Sequence, residues 1–68
     1  MKWVRVNKAH FNTELIKAFY WSASRLYVYW LGEDDYESFW DPNQENYERL
    51  CSYLNMSPVK EEHRHGQN

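Results

Sequence analysis

The chain has 68 residues, a formal net charge of −2 and a single cysteine, Cys51. A chain of this length folds as one small domain and has no room for a second domain or a large substrate cavity. One cysteine excludes an intramolecular disulfide, and the negative charge disfavours nucleic acid and anionic membranes as partners. No apolar run reaches the roughly 20 residues of a membrane span, so we expect a cytoplasmic protein without membrane association.

Aromatic residues make up 19% of the chain, with four Trp, six Tyr and three Phe. Each buried aromatic ring removes roughly 150–250 Å² from water, so we expect these rings to be the main stabilising material. The sequence predicts a single domain over residues 1–56. Residues 57–68 are almost devoid of apolar side chains, which predicts a disordered polar tail.

The first half of the chain predicts two strands. In Trp3-Val4-Arg5-Val6 the two valines fall on one face of an extended chain and Trp3 and Arg5 on the other, which indicates a short strand. Residues 7–10 are then expected to form a polar connection. Residues 11–14 fit either a brief extended piece or an irregular turn. Residues 15–21 are interpreted as a strand because Phe, Tyr and Trp stand in succession, although their apolar spacing also suits a helix.

The second half predicts a hairpin and a helix. Residues 25–31 alternate cleanly, Gly32 and three acidic residues form a connection, and residues 36–40 resume a strand. Asp41 is expected to cap a helix with Pro42 at its first position and Gln44 closing a capping box. Asn55 is a suitable C-terminal stop. The apolar stripe of this helix comprises Tyr47, Leu50, Cys51 and Leu54.

These elements predict an α+β fold in which an antiparallel sheet of three to four strands, in β-β-β-β-α order, packs on one C-terminal helix. The layout looks like one that recurs in short bacterial and phage proteins, but no diagnostic motif accompanies it, so it identifies no family.

A lone helix covers only one face of a sheet, so strand alternation divides the aromatic residues into two sets. The set expected to face the helix is Leu26, Val28, Trp30, Phe39, Val4, Val6 and Phe19. The other face would be unusually apolar, which is typical of a contact surface. We therefore expect a non-catalytic protein-interaction module, such as an adaptor or a phage or mobile-element inhibitor, that self-associates or binds a larger protein. Its expected contact residues are Tyr27, Tyr29, Tyr36, Trp3, Tyr20 and Trp40, with Arg5 and Arg25 as polar anchors.

Two other interpretations of this aromatic face stay open. The rings could simply pair across strands with their hydroxyls in water, while the first strand or the tail folds over them. The face could also be a stacking platform for single-stranded nucleic acid, with Arg5, Arg25 and Lys17 contacting phosphates. The net charge opposes the second interpretation, because electrostatic attraction normally dominates nucleic-acid affinity.

The remaining polar residues give weak signals for chemistry. An acidic patch of Glu33, Asp34, Asp35, Glu37 and Asp41 is expected to be a solvated turn and helix cap, with mimicry of a phosphate backbone as the alternative. Cys51 lies on the core stripe, which indicates a buried hydrophobe. His10 has no partner by spacing, and His63 and His65 are too few ligands for a stable metal site. We expect no enzyme activity, cofactor, metal or small-molecule substrate.

Overall fold

The protein folds into two antiparallel sheets and one helix, in a computed structural model that describes residues 2–59. The predicted α+β class and the C-terminal helix are confirmed, but there are five strands in two sheets where three to four strands in one sheet were expected. The elements are β1 (Trp3–Val6), β2 (Ala9–Asn12), a 3-10 turn (Thr13–Leu15), β3 (Ile16–Ser22), β4 (Arg25–Trp30), β5 (Tyr36–Trp40) and α1 (Glu45–Tyr53).

The first sheet is a two-stranded hairpin of β1 and β2. Val4 pairs with Phe11 across this hairpin. The polar connection predicted over residues 7–10 is wrong, because only Asn7 and Lys8 form the turn. Asn7 has a φ of 54°, a left-handed conformation that asparagine tolerates better than most residues, so two residues suffice to reverse the chain. Residues 11–14 divide between the end of β2 and the 3-10 turn.

The second sheet has the strand order β3-β4-β5. The strand interpretation of residues 15–21 is confirmed for Ile16–Ser22. Ala23 and Ser24 connect β3 to β4 with φ values of 51° and 67°, a pair of positive angles typical of the type I′ turn that matches strand twist. The predicted hairpin over residues 25–40 is also confirmed, with Arg25 opposite Trp40 and Tyr29 opposite Tyr36.

The core lies between the two sheets and the helix. Val6, Leu26, Val28 and Leu50 are fully buried, and the ring centroid of Phe11 lies 5.0 Å from those of Trp30 and Phe39. The residues predicted to face the helix are all buried or pack against this core. β1 was expected to belong to the same sheet as the later strands, and this prediction is wrong because β1 pairs with β2. The β1–β2 hairpin and α1 together cover the inner face of the second sheet.

The start of the helix differs from the prediction. Gln44, with a φ of 61°, is the residue before α1 and makes no side-chain cap, so the capping box with Pro42 in the first turn is wrong. Asp41 nevertheless stabilises the helix from outside it. Its buried carboxylate accepts hydrogen bonds from the amides of Asn46 at 3.0 Å and Tyr47 at 2.9 Å, two of the donors that a helix N-terminus leaves unsatisfied.

The last residue of the helix is Tyr53, and Asn55, the predicted stop, follows two positions later with a left-handed φ of 61°. The Met56 amide donates to the Cys51 carbonyl at 2.7 Å and the Asn55 amide donates to the Ser52 carbonyl at 3.1 Å, which together form a Schellman motif. The Val59 amide then donates to the Tyr47 hydroxyl at 2.9 Å. The predicted disorder of the tail stays a prediction, since residues 60–68 lie outside the described residues.

Replacing Asp41 with Ala should lower the free energy of unfolding by about 2 kcal/mol, because two buried backbone donors at the start of α1 would lose a charged acceptor. Urea denaturation at neutral pH measures this loss. The control is Asp34→Ala, which removes a carboxylate from an exposed loop and should change stability by less than about 0.5 kcal/mol. Equal losses in the two variants would contradict the role assigned to Asp41.

Candidate functional site

Four tyrosines occupy the outer face of the second sheet, which points away from the core. Strand alternation places Tyr20 of β3, Tyr27 and Tyr29 of β4, and Tyr36 of β5 on this face, while Leu26 and Val28 between them point inward. The ladder then sets Tyr20 opposite Tyr27 and Tyr29 opposite Tyr36. We call these four residues the tyrosine cluster.

The four rings pack against one another. Tyr20 stacks on Tyr27 with ring centroids 4.8 Å apart and planes 9° from parallel, and it lies 6.3 Å from Tyr29. Tyr36 meets Tyr27 edge-on at 5.3 Å and Tyr29 at 5.8 Å. Each of these geometries is favourable for aromatic pairs, so the cluster is a continuous patch in which every ring supports at least two others.

The tyrosine cluster remains accessible despite this packing. Tyr20 is 44% exposed and Tyr36 is 47% exposed, while Tyr27 and Tyr29 are half-buried. The rings do pair across strands, as one of the open interpretations expected, but the first strand does not fold over them. It belongs to the hairpin on the inner face of the sheet. Among residues 2–59, then, the elements that cover this sheet lie on its inner side.

Arg25 and Trp40 border the cluster at one end of the same face. They are a cross-strand pair at the start of β4 and the end of β5, and Trp40 is 59% exposed. The Arg25 side chain donates through Nε to the Ser38 hydroxyl at 3.1 Å and through Nη2 to the Ser38 carbonyl at 3.4 Å. These bonds hold the guanidinium along the face. Ser38 was not anticipated as its partner, because the register of the hairpin could not be read from the sequence.

Trp3 and Arg5 do not join the tyrosine cluster. Their neighbours Val4 and Val6 are buried in the core, so the two side chains point to the outer face of the β1–β2 hairpin, on the opposite side of the core. The physical reason is the pairing of β1 with β2, which removes this strand from the second sheet. The contact surface predicted from sequence therefore divides into a tyrosine face with Arg25 and Trp40 and a separate pair on the hairpin.

The structure also separates the residues of the predicted acidic patch. Glu33, Asp34 and Asp35 lie in the exposed loop between β4 and β5, where the Asp35 carboxylate accepts the Tyr36 amide at 2.8 Å. Glu37 points to the inner side and accepts the indole N–H of Trp30 at 2.8 Å. Asp41 is buried beside the helix. Only the loop residues are left as an acidic group, and this group lies at the Tyr29–Tyr36 end of the sheet.

The tyrosine cluster changes the acidity of one of its phenols. Desolvation by the surrounding rings raises the pKa of Tyr20 above its ordinary value, and the neighbouring Tyr29 raises it further through charge repulsion and a hydrogen bond. The Tyr20 phenol therefore resists ionisation, and an uncharged phenol is more easily removed from water than a charged one.

Other candidate positions offer little chemistry. Cys51 is 2% exposed, and burial raises the pKa of its thiol, which makes the reactive thiolate scarce. A cleft of about 380 Å³ lies between the start of β3 and the end of α1, lined by Ile16, Phe19, Leu54 and Met56 together with Lys17. Within residues 2–59, no three metal-ligating side chains come together.

Comparison of the chain with protein-family models, curated proteins and solved structures finds no match. No helix within the described part of the chain has the length and apolar character that crossing a bilayer requires. The tyrosine face, comprising the tyrosine cluster with Arg25 and Trp40, is thus the surface from which function can be argued.

The raised pKa of Tyr20 predicts a loss of stability in alkali. Above pH 10.0, the ordinary pKa of tyrosine, an unfolded chain releases the Tyr20 proton while the folded state still holds it, so stability falls as the pH rises toward the folded pKa. Tyr20→Phe should reduce this fall in chemical denaturation measured across that pH range. The matched control, Tyr53→Phe, removes a phenol outside the cluster. An identical fall in wild type and Tyr20→Phe would contradict the assignment.

Proposed function

We propose that the protein is a non-catalytic interaction module that binds another protein surface through its tyrosine face. The observation that carries this proposal is the tyrosine cluster itself, in which four mutually packed rings stay accessible on one side of a sheet. Tyrosine, tryptophan and arginine are the residues most enriched among binding hot spots, and the tyrosine face consists of these three types.

The packing of the rings lowers the entropic cost of association. A side chain that is fixed before binding loses less conformational freedom when a partner arrives, and tyrosine has only two rotatable side-chain angles. The stack of Tyr20 on Tyr27 and the edge contacts of Tyr36 already restrict these angles in the free protein. The cluster therefore presents apolar ring area at low entropic cost, and its phenol hydroxyls are groups that can hydrogen-bond to a partner.

Binding of single-stranded nucleic acid is the alternative use of such a face, with less support. Three cations were expected to contact phosphates. Arg25 lies on the tyrosine face, Arg5 lies across the core from it, and Lys17 lines the cleft between β3 and the end of α1. The acidic loop lies at the far end of the face, where it would repel a phosphate backbone. Protein binding is the use that this charge distribution favours, and an adaptor or an inhibitor from a mobile element would both act by it.

The proposal predicts that Tyr27→Ser/Tyr29→Ser weakens association by at least about tenfold, since it removes the central rings of the face. The experiment captures partners from an extract of the native host with immobilised protein and quantifies them by mass spectrometry, while light scattering after size exclusion reports self-association. The matched control is Trp3→Ser, which removes a ring 51% exposed on the other side of the core.

Thermal unfolding of both variants separates lost binding from lost folding. The proposal is contradicted if the folded Tyr27→Ser/Tyr29→Ser variant keeps its partners and its self-association. It is also contradicted if the Trp3→Ser control loses them to the same extent. Quenching of tryptophan fluorescence by single-stranded oligonucleotides at low salt would instead support the nucleic-acid alternative.

A further inference from the structure

We infer that the partner of the tyrosine face is a second copy of this chain, packed face to face with its strands antiparallel to those of the first. This inference rests on the proposed function and names the partner. In this arrangement Arg25 of each copy meets the acidic loop, Glu33 and Asp34, of the other. The tyrosine clusters lie between these two contacts.

The two ends of the tyrosine face carry opposite charges. Arg25 begins β4 at one end, and the loop with Glu33, Asp34 and Asp35 follows the Tyr29–Tyr36 pair at the other. Arg25 and Tyr29 are four steps apart along the strand, a distance of about 13 Å at roughly 3.3 Å per residue. The uncharged tyrosine cluster fills the interval. The face is thus a strip with a cation at one end and anions at the other.

Such a strip is complementary to itself under a two-fold rotation. A two-fold axis perpendicular to the strands lays one face on another with strands antiparallel, so that each cationic end meets an acidic end. A two-fold axis along the strands would instead place Arg25 beside Arg25 and acidic loop beside acidic loop, where like charges repel. The charge distribution therefore selects the antiparallel arrangement.

The groups that would form these contacts are available. Arg25 uses Nε and Nη2 for Ser38, which leaves Nη1 free to donate outward. Within residues 2–59, the ion pair present joins Lys2 to Glu14, so Arg25, Glu33 and Asp34 have no partner of opposite charge there. A second copy supplies these partners without any rearrangement of the sheet.

The size of the face sets the strength of the dimer. Three strands spaced about 4.8 Å apart and about six residues long give a contact about 14 Å by about 20 Å, well below the ~800 Å² per partner of a standard stable interface. We therefore expect a reversible dimer with a dissociation constant in the micromolar range, detected by sedimentation velocity from low micromolar to millimolar protein.

A charge-swap experiment tests the arrangement. Arg25→Glu alone and Glu33→Lys/Asp34→Lys alone should each weaken self-association by about tenfold or more, because each homodimer would contain two repulsive contacts. An equimolar mixture should restore wild-type affinity, because the heterodimer contains one wild-type contact and one reversed but attractive contact. The loop variant leaves Asp35 in place, so the bond to the Tyr36 amide is kept.

Restored association in the mixture supports the antiparallel dimer and shows that both variants are folded. Wild-type protein that remains monomeric at millimolar concentration would overturn the inference, as would variants that dimerise like wild type or a mixture that fails to recover. If wild type is monomeric while Tyr27→Ser/Tyr29→Ser loses a host partner, the second copy is excluded and the proposed function stands.

Discussion

The alternation of side chains across a three-stranded sheet, which residues 2–59 cover on one side, is the constraint on which the structure depends. The β1–β2 hairpin and α1 share the inner face, where Leu26 and Val28 are fully buried. Each inward residue of β4 forces its neighbour outward, so Tyr27 and Tyr29 must lie on the uncovered face. β4 thus contributes residues both to the core and to the tyrosine face.

Asp41 links α1 to the sheet that this helix covers. Its carboxylate accepts two amides at the start of α1, and its carbonyl accepts the indole N–H of Trp21 from β3 at 2.7 Å. Next to it, Asn46 donates to the Asn7 side chain at 2.7 Å, which ties the hairpin turn to the helix. Hydrogen bonds that bridge distant segments around a buried carboxylate fix the order of the layers, because an unpaired member would be costly there.

The sequence was most informative where local periodicity settles the structure. The alternation of β4, the hairpin to β5 and the stop at Asn55 were all predicted, because each depends on a few neighbouring residues. The β1–β2 hairpin was missed because its two-residue turn depends on Asn7 in a left-handed conformation. The turn contains no glycine that would have marked it in the sequence. That error placed Trp3 and Arg5 on the wrong face. The prediction of the tyrosine cluster did not depend on that error, since its four residues belong to β3, β4 and β5, which were predicted as strands.

The most direct test of the account is to measure how accessible each tyrosine is, free and bound. Hydroxyl-radical footprinting read by mass spectrometry compares dilute protein with concentrated protein and with protein in host extract. We predict that Tyr20 and Tyr36 react readily in the dilute sample and become protected in at least one of the others, while Tyr53, exposed on the helix, keeps its reactivity. Unchanged reactivity of Tyr20 and Tyr36 in all three samples would contradict a tyrosine face that binds protein.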